Sequence, residues 1–137
     1  MAIENNWKNV LIVEDDMLWN NRSGFVKVEN YIREPYDVIV LGGHHMRFDK
    51  SNRLTHALSM TAYVVSNHYY NTLLANFEEG LAKFIETKTY RQYAIDQYWN
   101  LLMVKDNWKG IVPGLCTQKP SYSDIDKKNV NWLHIFN

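Results

Sequence analysis

The sequence lacks most of the features that would place it in a specialised class. It has one cysteine, Cys116, so no disulfide can form within the chain, and this fits a reducing compartment. The first nine residues, MAIENNWKN, have no basic flank followed by an apolar stretch, so they do not form a signal peptide and we expect a cytoplasmic protein. No apolar run approaches the roughly 20 residues of a membrane helix.

The charge balance excludes further classes of partner. Fifteen acidic residues balance fifteen basic ones, so the global charge does not predict binding to nucleic acid or to an anionic membrane. Asparagine is abundant and lysine outnumbers arginine by ten to five, a weak hint of A+T-rich coding in a virus or a microbe. With 137 residues and no internal repeat, we expect a single domain over residues 1–137.

Short apolar runs alternate with amphipathic segments along the chain. NVLIVE (9–14), YDVIVLGG (36–43) and MTAYVVS (60–66) read as strands, and the first of them as a strand covered on both faces. A long loop is predicted between the second and third strands. Helices are predicted after Ser23 as far as Pro35, along 70–85 either unbroken or divided at Gly80, and over 94–104. A weaker strand is predicted near 111–112, and a strand or a loop near 115–117. This alternation predicts an α/β fold.

Three consecutive carboxylates, Glu14, Asp15 and Asp16, end the first predicted strand. In open α/β sheets ligands bind beyond the carboxyl ends of strands. Hard cations such as Mg²⁺ and Mn²⁺ take oxygen ligands and often join a few carboxylates to substrate phosphates. A solvated turn at the end of a strand would explain the same residues. Both explanations stay open at this point.

A set of motifs, in order along the chain, resembles glycosyltransferase family 25, which includes collagen and lipooligosaccharide galactosyltransferases. The motifs are VLIVEDDM, YDVIVLGG, TAYVVSNHYYNTLL, AIDQYW and PGLCTQKPSYSDID. Each is weak alone, but together they span most of the chain. The resemblance implies a shortened GT-A-like, Rossmann-type fold. It also implies transfer of a hexose from a UDP-sugar donor to a hydroxyl of a glycan or hydroxylysine-type acceptor, with inversion and with Mn²⁺ or Mg²⁺ as cofactor.

The resemblance also implies roles for individual residues. The metal ligands that it implies are Asp16, Glu14, Asp124 and Asp126. The residues that it implies in contact with the donor are Glu14, Asp15, Gly42, Gly43 and Tyr63. Asp124 and Asp126 could bind the acceptor instead, or Ser123 and Asp124 could simply cap a turn.

Asp96, in the IDQ motif, is the expected general base. It would take the proton from the acceptor hydroxyl, and a carboxylate suits that role. It also lies in the first turn of a predicted helix, where the helix dipole favours an ionised aspartate. A favourable interaction with the helix dipole would by itself explain an aspartate at this position.

The chain departs from the family where the first strand begins. Family members carry further βα units before the acidic strand, which here starts at residue 9, so we expect either a fragment or a shortened homologue. Lacking those units, the chain should expose a sheet edge and form a homo-oligomer. Two functions follow: a glycosyltransferase, or a non-catalytic remnant that acts as a carbohydrate-binding or assembly module.

Overall fold

The computed structural model describes residues 1–19, 25–123 and 127–131. Within these ranges the strands are β1 (Asn9–Val13), β2 (Met17–Trp19), β3 (Val38–Phe48), β4 (Leu54–Ser66), β5 (Trp108–Gly110), β6 (Cys116–Gln118), β7 (Ser121–Ser123) and β8 (Lys128–Val130). The helices are α1 (Phe25–Arg33), α2 (Tyr70–Thr87), α3 (Tyr90–Tyr93), α4 (Ile95–Tyr98) and α5 (Asn100–Met103), with a 3-10 turn at Asn67–Tyr69 before α2. The fold is mixed α/β, as the sequence predicts.

The central sheet has four strands in the order β1-β4-β3-β5. Strands β1 and β3 both pair with β4 in antiparallel fashion, and β5 pairs with β3 in parallel. Strands β1, β3 and β5 therefore run in one direction and β4 runs against them. Val13 of β1 and Gly42 of β3 lie on either side of Ala62 of β4, which places the end of β1 level with the middle of β3.

The predicted loop between the second and third strands is wrong. Strands β3 and β4 extend through this region as one long hairpin with a turn at 49–53. The carboxylate of Asp49 accepts hydrogen bonds from the backbone N–H groups of Ser51 (2.9 Å) and Arg53 (3.0 Å) and from the Arg53 side chain (3.0 Å). An aspartate that bonds the backbone ahead of it is a turn former, and the DKSN sequence was the missed signal.

The two central strands are buried on both faces, which explains their continuous apolar runs. Val38 and Val40 face a core that includes Tyr69, Leu73 and Trp108, under α2 and the short helices. Ile39 and Leu41 face the opposite side, where they meet Val28, Ile111, Leu115 and Cys116.

Strand β1 is not covered on both faces, contrary to the prediction. Leu11, Ile12 and Val13 are 49%, 36% and 47% exposed. Strand β1 is the edge of the sheet, and its outer edge has no partner strand among the described residues. The apolar run correctly predicted a strand, but it carried no information on whether neighbouring elements cover one face of that strand or both.

Where the predicted helices fall on described residues, they are found with one exception, at 94–104. Helix α1 begins after the undescribed residues 20–24, so the proposed Ser23 cap lies outside the described ranges. Helix α2 continues through Gly80 without a break. A Cβ at this position would lie 2.8 Å from Cδ1 of Tyr98, so the packing of α4 against α2 requires glycine here. The predicted helix over 94–104 is instead the separate turns α4 and α5. Among the described helices, none is long and apolar enough to cross a membrane.

Two further strands, β5 and β6, follow the short helices and pair with earlier strands. The predicted strand near 111–112 lies slightly earlier, as β5, because Trp108–Gly110 pairs with Val38–Val40. Of the two alternatives predicted near 115–117, a strand or a loop, the structure has the strand, β6, which pairs with β2 so that Met17 lies opposite Gln118. This second pairing brings the residues after the acidic motif to the end of β6.

Candidate functional site

The three carboxylates lie on a turn between β1 and β2 that the backbone holds on both sides. The N–H of Glu14 donates to the carbonyl of Thr61 on β4 (2.9 Å), and the N–H of Met17 donates to the carbonyl of Glu14 (3.2 Å). The N–H of Lys119, just after β6, donates to the carbonyl of Asp16 (2.8 Å). The turn is therefore anchored to two different strands.

Glu14 is the carboxylate that Gln118 contacts. Nε2 of Gln118 donates to Oε2 of Glu14 at 3.0 Å. Glu14 as a whole is exposed to solvent, but the surrounding protein atoms partly desolvate its carboxyl group. This desolvation raises the pKa of Glu14, and the negative charge of Asp16 is the next largest cause of the rise. The charge of Asp96 adds to the rise, so these two carboxylates, distant in sequence, lie close enough to interact.

Asp16 and Asp15 differ in their surroundings. Oδ1 of Asp16 is buried and has no hydrogen-bond partner among the described residues. Burial, followed by the charge of Asp15, raises the pKa of Asp16. Asp15 is exposed. A buried carboxylate oxygen without a partner costs stability, so some group absent from the described chain is expected to satisfy it.

Asp96 lies in the first turn of α4, as predicted. The helix-dipole argument predicted a stabilised ionised form, but burial raises the pKa of Asp96, and a hydrogen bond from the backbone of Ser59 only partly opposes this. The prediction of the direction was wrong because α4 has four residues and so a small dipole, whereas desolvation of the carboxylate is large.

A cavity of about 520 Å³ joins Glu14 and Asp96, whereas Asp15 and Asp16 are not among its lining residues. Its polar lining comes from five separate parts of the chain, namely Glu14, Ser59, Asn76, Asp96 and Gln118. Its walls are mostly apolar and include Phe77, Leu81 and Phe84 of α2 together with Tyr93 and Tyr98. An apolar pocket with a few convergent polar groups is the usual form of a small-molecule site.

Sequence reasoning missed three polar residues of this cavity, Ser59, Asn76 and Gln118. Asn76 lies on the buried face of α2, in register with Leu73 and Gly80, and a polar residue on an otherwise apolar helical stripe was the available signal. Ser59 has a positive φ of 45°, an uncommon conformation for serine that no motif indicates.

The remaining predicted donor contacts do not line this cavity. A Cβ on Gly42 would lie 2.5 Å from the carbonyl oxygen and from Sγ of Cys116, so this glycine allows β6 to approach β3. Gly43 is buried, with Leu58 and Met60 around it. Tyr63 is 7% exposed and its ring meets Trp99 edge-on at 5.4 Å. Burial, followed by the charge of Glu14, raises the pKa of Tyr63 to about 12.

The predicted metal shell is described only in part. Asp124 and Asp126 lie outside the described residues, which leaves Glu14 and Asp16. Within residues 1–19, 25–123 and 127–131, no three histidine, cysteine or acidic side chains are grouped so that they could hold a metal ion.

Comparison with known proteins adds no relative. No family model matches the chain, and no curated protein matches it at a significant level. Membership of glycosyltransferase family 25 therefore stays a prediction, and the features that bear on function are the cavity and the acidic turn.

Proposed function

We propose that the chain is a metal-dependent glycosyltransferase with a shortened GT-A-like fold. It would transfer a hexose from a UDP-sugar to a hydroxyl of a glycan or hydroxylysine-type acceptor, with inversion. The observation that carries this proposal is the convergence of Glu14, at the end of β1, with Asp96, in α4, on the same cavity. Two carboxylates with raised pKa values beside an apolar pocket are typical of a site for acid–base chemistry.

The acidic turn fits a divalent cation. The unpartnered buried oxygen of Asp16 is a hard oxygen ligand, and the charges of Glu14 and Asp16 disfavour each other unless a cation lies nearby. Asp16 and Glu14 would hold Mn²⁺ or Mg²⁺, with exposed Asp15 beside the donor. When bound, the cation would stabilise the charge on the departing diphosphate.

Asp96 would take the proton from the acceptor hydroxyl. Its raised pKa means that its environment favours the protonated carboxyl more than water does, which makes the carboxylate a better proton acceptor. The Ser59 backbone bond holds the side chain in place, and the aromatic walls exclude water from the acceptor. Donor contact is not proposed for Gly42, whose open side is filled by Cys116.

A non-catalytic assembly module is the second candidate, because the edge strand β1 is apolar and exposed. The deciding experiment measures release of UDP from UDP-galactose and UDP-glucose with Mn²⁺ and a panel of sugar and hydroxylysine acceptors. Acceptor-dependent release supports the transferase. If UDP is released only at the background rate, even after the further N-terminal units of the family are supplied, the transferase is excluded and the assembly module remains.

Metal binding predicts a change in stability. A cation that binds only the folded chain adds about 2.7 kcal/mol to the free energy of unfolding when its concentration is 100 times Kd. We therefore expect millimolar Mn²⁺ to raise the melting temperature of the wild type, and Asp16→Asn to abolish that rise. Glu29→Gln, which removes an exposed carboxylate of α1, is the control and should keep it. An equal rise in wild type and Asp16→Asn would remove the acidic turn from the metal role.

The edge of β1, which has no partner strand within the described ranges, predicts a homodimer. Antiparallel pairing of two copies about Leu11 would place Lys8 of each copy opposite Glu14 of the other, so the strand is self-complementary in charge. Leu11→Lys would bring two ammonium groups together at the centre of the pair. Light scattering at micromolar concentration should then give the mass of a dimer for wild type and of a monomer for Leu11→Lys. Leu101→Lys, at a residue 58% exposed on α5, should stay dimeric, and a monomeric wild type would contradict the pairing.

A further inference from the structure

The α2 wall of the cavity carries a buried polar atom that the described chain leaves unsatisfied. Asn76 is 7% exposed, and its Oδ1 has no hydrogen-bond partner within the described ranges. Buried amide oxygens are nearly always hydrogen-bonded in folded proteins, because losing the bond costs the desolvation of the group. Since Asn76 lines the cavity, a donor on a ligand could supply the missing bond.

The charge of the lining restricts what that ligand can be. Glu14 and Asp96 contribute carboxylates, and no lysine, arginine or histidine is among the described lining residues. A phosphate or carboxylate ligand would meet two carboxylates and no cationic lining residue here, and the nearby ammonium of Lys83 is already bonded to Glu79 and to the hydroxyl of Tyr98. A cation with N–H donors would meet a complementary surface.

The aromatic walls favour the same class of ligand. Phe77, Phe84, Tyr90, Tyr93 and Tyr98 line the cavity and leave room for an apolar body. Aromatic faces also attract ammonium groups, most strongly where water is excluded. The cavity volume of about 520 Å³ lies within the usual range for small-molecule sites.

We propose that this cavity binds an organic ammonium ion with an apolar body. The ammonium has three N–H donors, which suit the Asn76 Oδ1 atom and the carboxylates of Asp96 and Glu14, and the body lies against the aromatic walls. The binding needs neither a nucleotide sugar nor a metal, so it can be measured separately from the transfer reaction, although both use Asp96 and Glu14.

The test compares a matched pair of probes on the whole chain, 2-phenylethylammonium and its neutral analogue 2-phenylethanol. Isothermal titration is done at pH 7.5 in a buffer that contains a chelator, so that no metal competes for Glu14. We expect the ammonium to bind at least about tenfold more tightly than the alcohol, since hydrogen bonds to charged groups are the stronger ones. Added salt should weaken the binding of the ammonium but not the binding of the alcohol.

Three variants locate the binding. Asn76→Leu keeps the size of the side chain but removes the acceptor, and Asp96→Asn removes a charge, so each should weaken ammonium binding about tenfold or more. Glu86→Gln, an exposed carboxylate of α2 outside the cavity, should leave it unchanged. Equal affinities for the two probes, no saturable binding of the ammonium, or full binding by both cavity variants would each overturn the proposal. The UDP-release assay is unaffected by these results, so the two proposals can fail separately.

Discussion

Asp96→Asn is expected to transfer hexose at least about 100-fold more slowly than the wild type, while it still binds UDP. The substitution keeps the size and the hydrogen-bonding shape of the side chain but removes its basicity, and a positioned general base contributes about 10²–10⁴ in rate. UDP binding should survive because the donor is assigned to the acidic turn at Glu14–Asp16. The measurements are initial rates of UDP release and a UDP titration, both with Mn²⁺.

Stability separates this effect from simple damage to the fold. Burial raises the pKa of Asp96, so its ionised form is less stable in the folded chain than in the unfolded one, and at neutral pH this costs stability. The neutral amide introduced by the substitution avoids that cost, and its oxygen can still accept the Ser59 bond. We therefore expect a melting temperature equal to or above that of the wild type, together with the loss of rate.

The control for this experiment is Glu78→Gln, which removes an exposed carboxylate of α2 and should change neither rate nor melting temperature. Transfer that survives Asp96→Asn undiminished would leave the enzyme but discard Asp96 as the base. A low rate combined with a lower melting temperature would assign Asp96 a structural role instead.

The second large effect is expected from Gly42→Ala. A Cβ at this position would lie 2.5 Å from the Cys116 carbonyl oxygen and 2.7 Å from Oγ1 of Thr61, and a backbone carbonyl cannot move aside as a flexible side chain can. Overpacking of this kind costs about 1–3 kcal/mol. Near the upper end of that range, the melting temperature should fall by about 10 °C in a domain of this size.

Gly43→Ala is the matched control for this prediction. The nearest atoms to its added Cβ, the backbone carbonyl oxygen of Leu58 and Cγ of Met60, both lie at 3.3 Å, so an adjustment of a few tenths of an ångström relieves the contact. Replacing glycine with alanine also lowers the entropy of the unfolded chain, which contributes about 0.4–1 kcal/mol in the opposite direction. Thermal unfolding should show little change for Gly43→Ala. Equal losses for the two variants would contradict the assignment of Gly42 to the contact between β3 and β6.

Local sequence determined most of the elements of this fold. The apolar runs at 9–14, 36–43 and 60–66 each form part of a strand, and the stripe from Tyr70 to Ile85 forms one helix, because the period of apolar residues reflects local backbone geometry. The position of Glu14, Asp15 and Asp16 directly after a strand could also be predicted. The hairpin turn at Asp49 could have been predicted from its turn residues.

Only the tertiary structure decided what surrounds those elements. An apolar run is the same whether neighbours cover one face or two, so the exposure of Leu11 and Val13 depended on the strand order, which places β1 at the edge. The rise in the pKa of Asp96 depended on burial by other segments, which outweighed the local helix dipole.

The candidate site itself was decided by long-range pairing. Gln118 reaches Glu14 because β6 pairs with β2, and Asp96 shares their cavity because α4 packs against α2 at Gly80. These contacts join residues far apart in the chain, and their geometry depends on the register of strands and on packing between helices. Hydrophobic periodicity carries no information on either, so the sequence by itself could supply the candidate residues Glu14 and Asp96 but not the cavity that joins them.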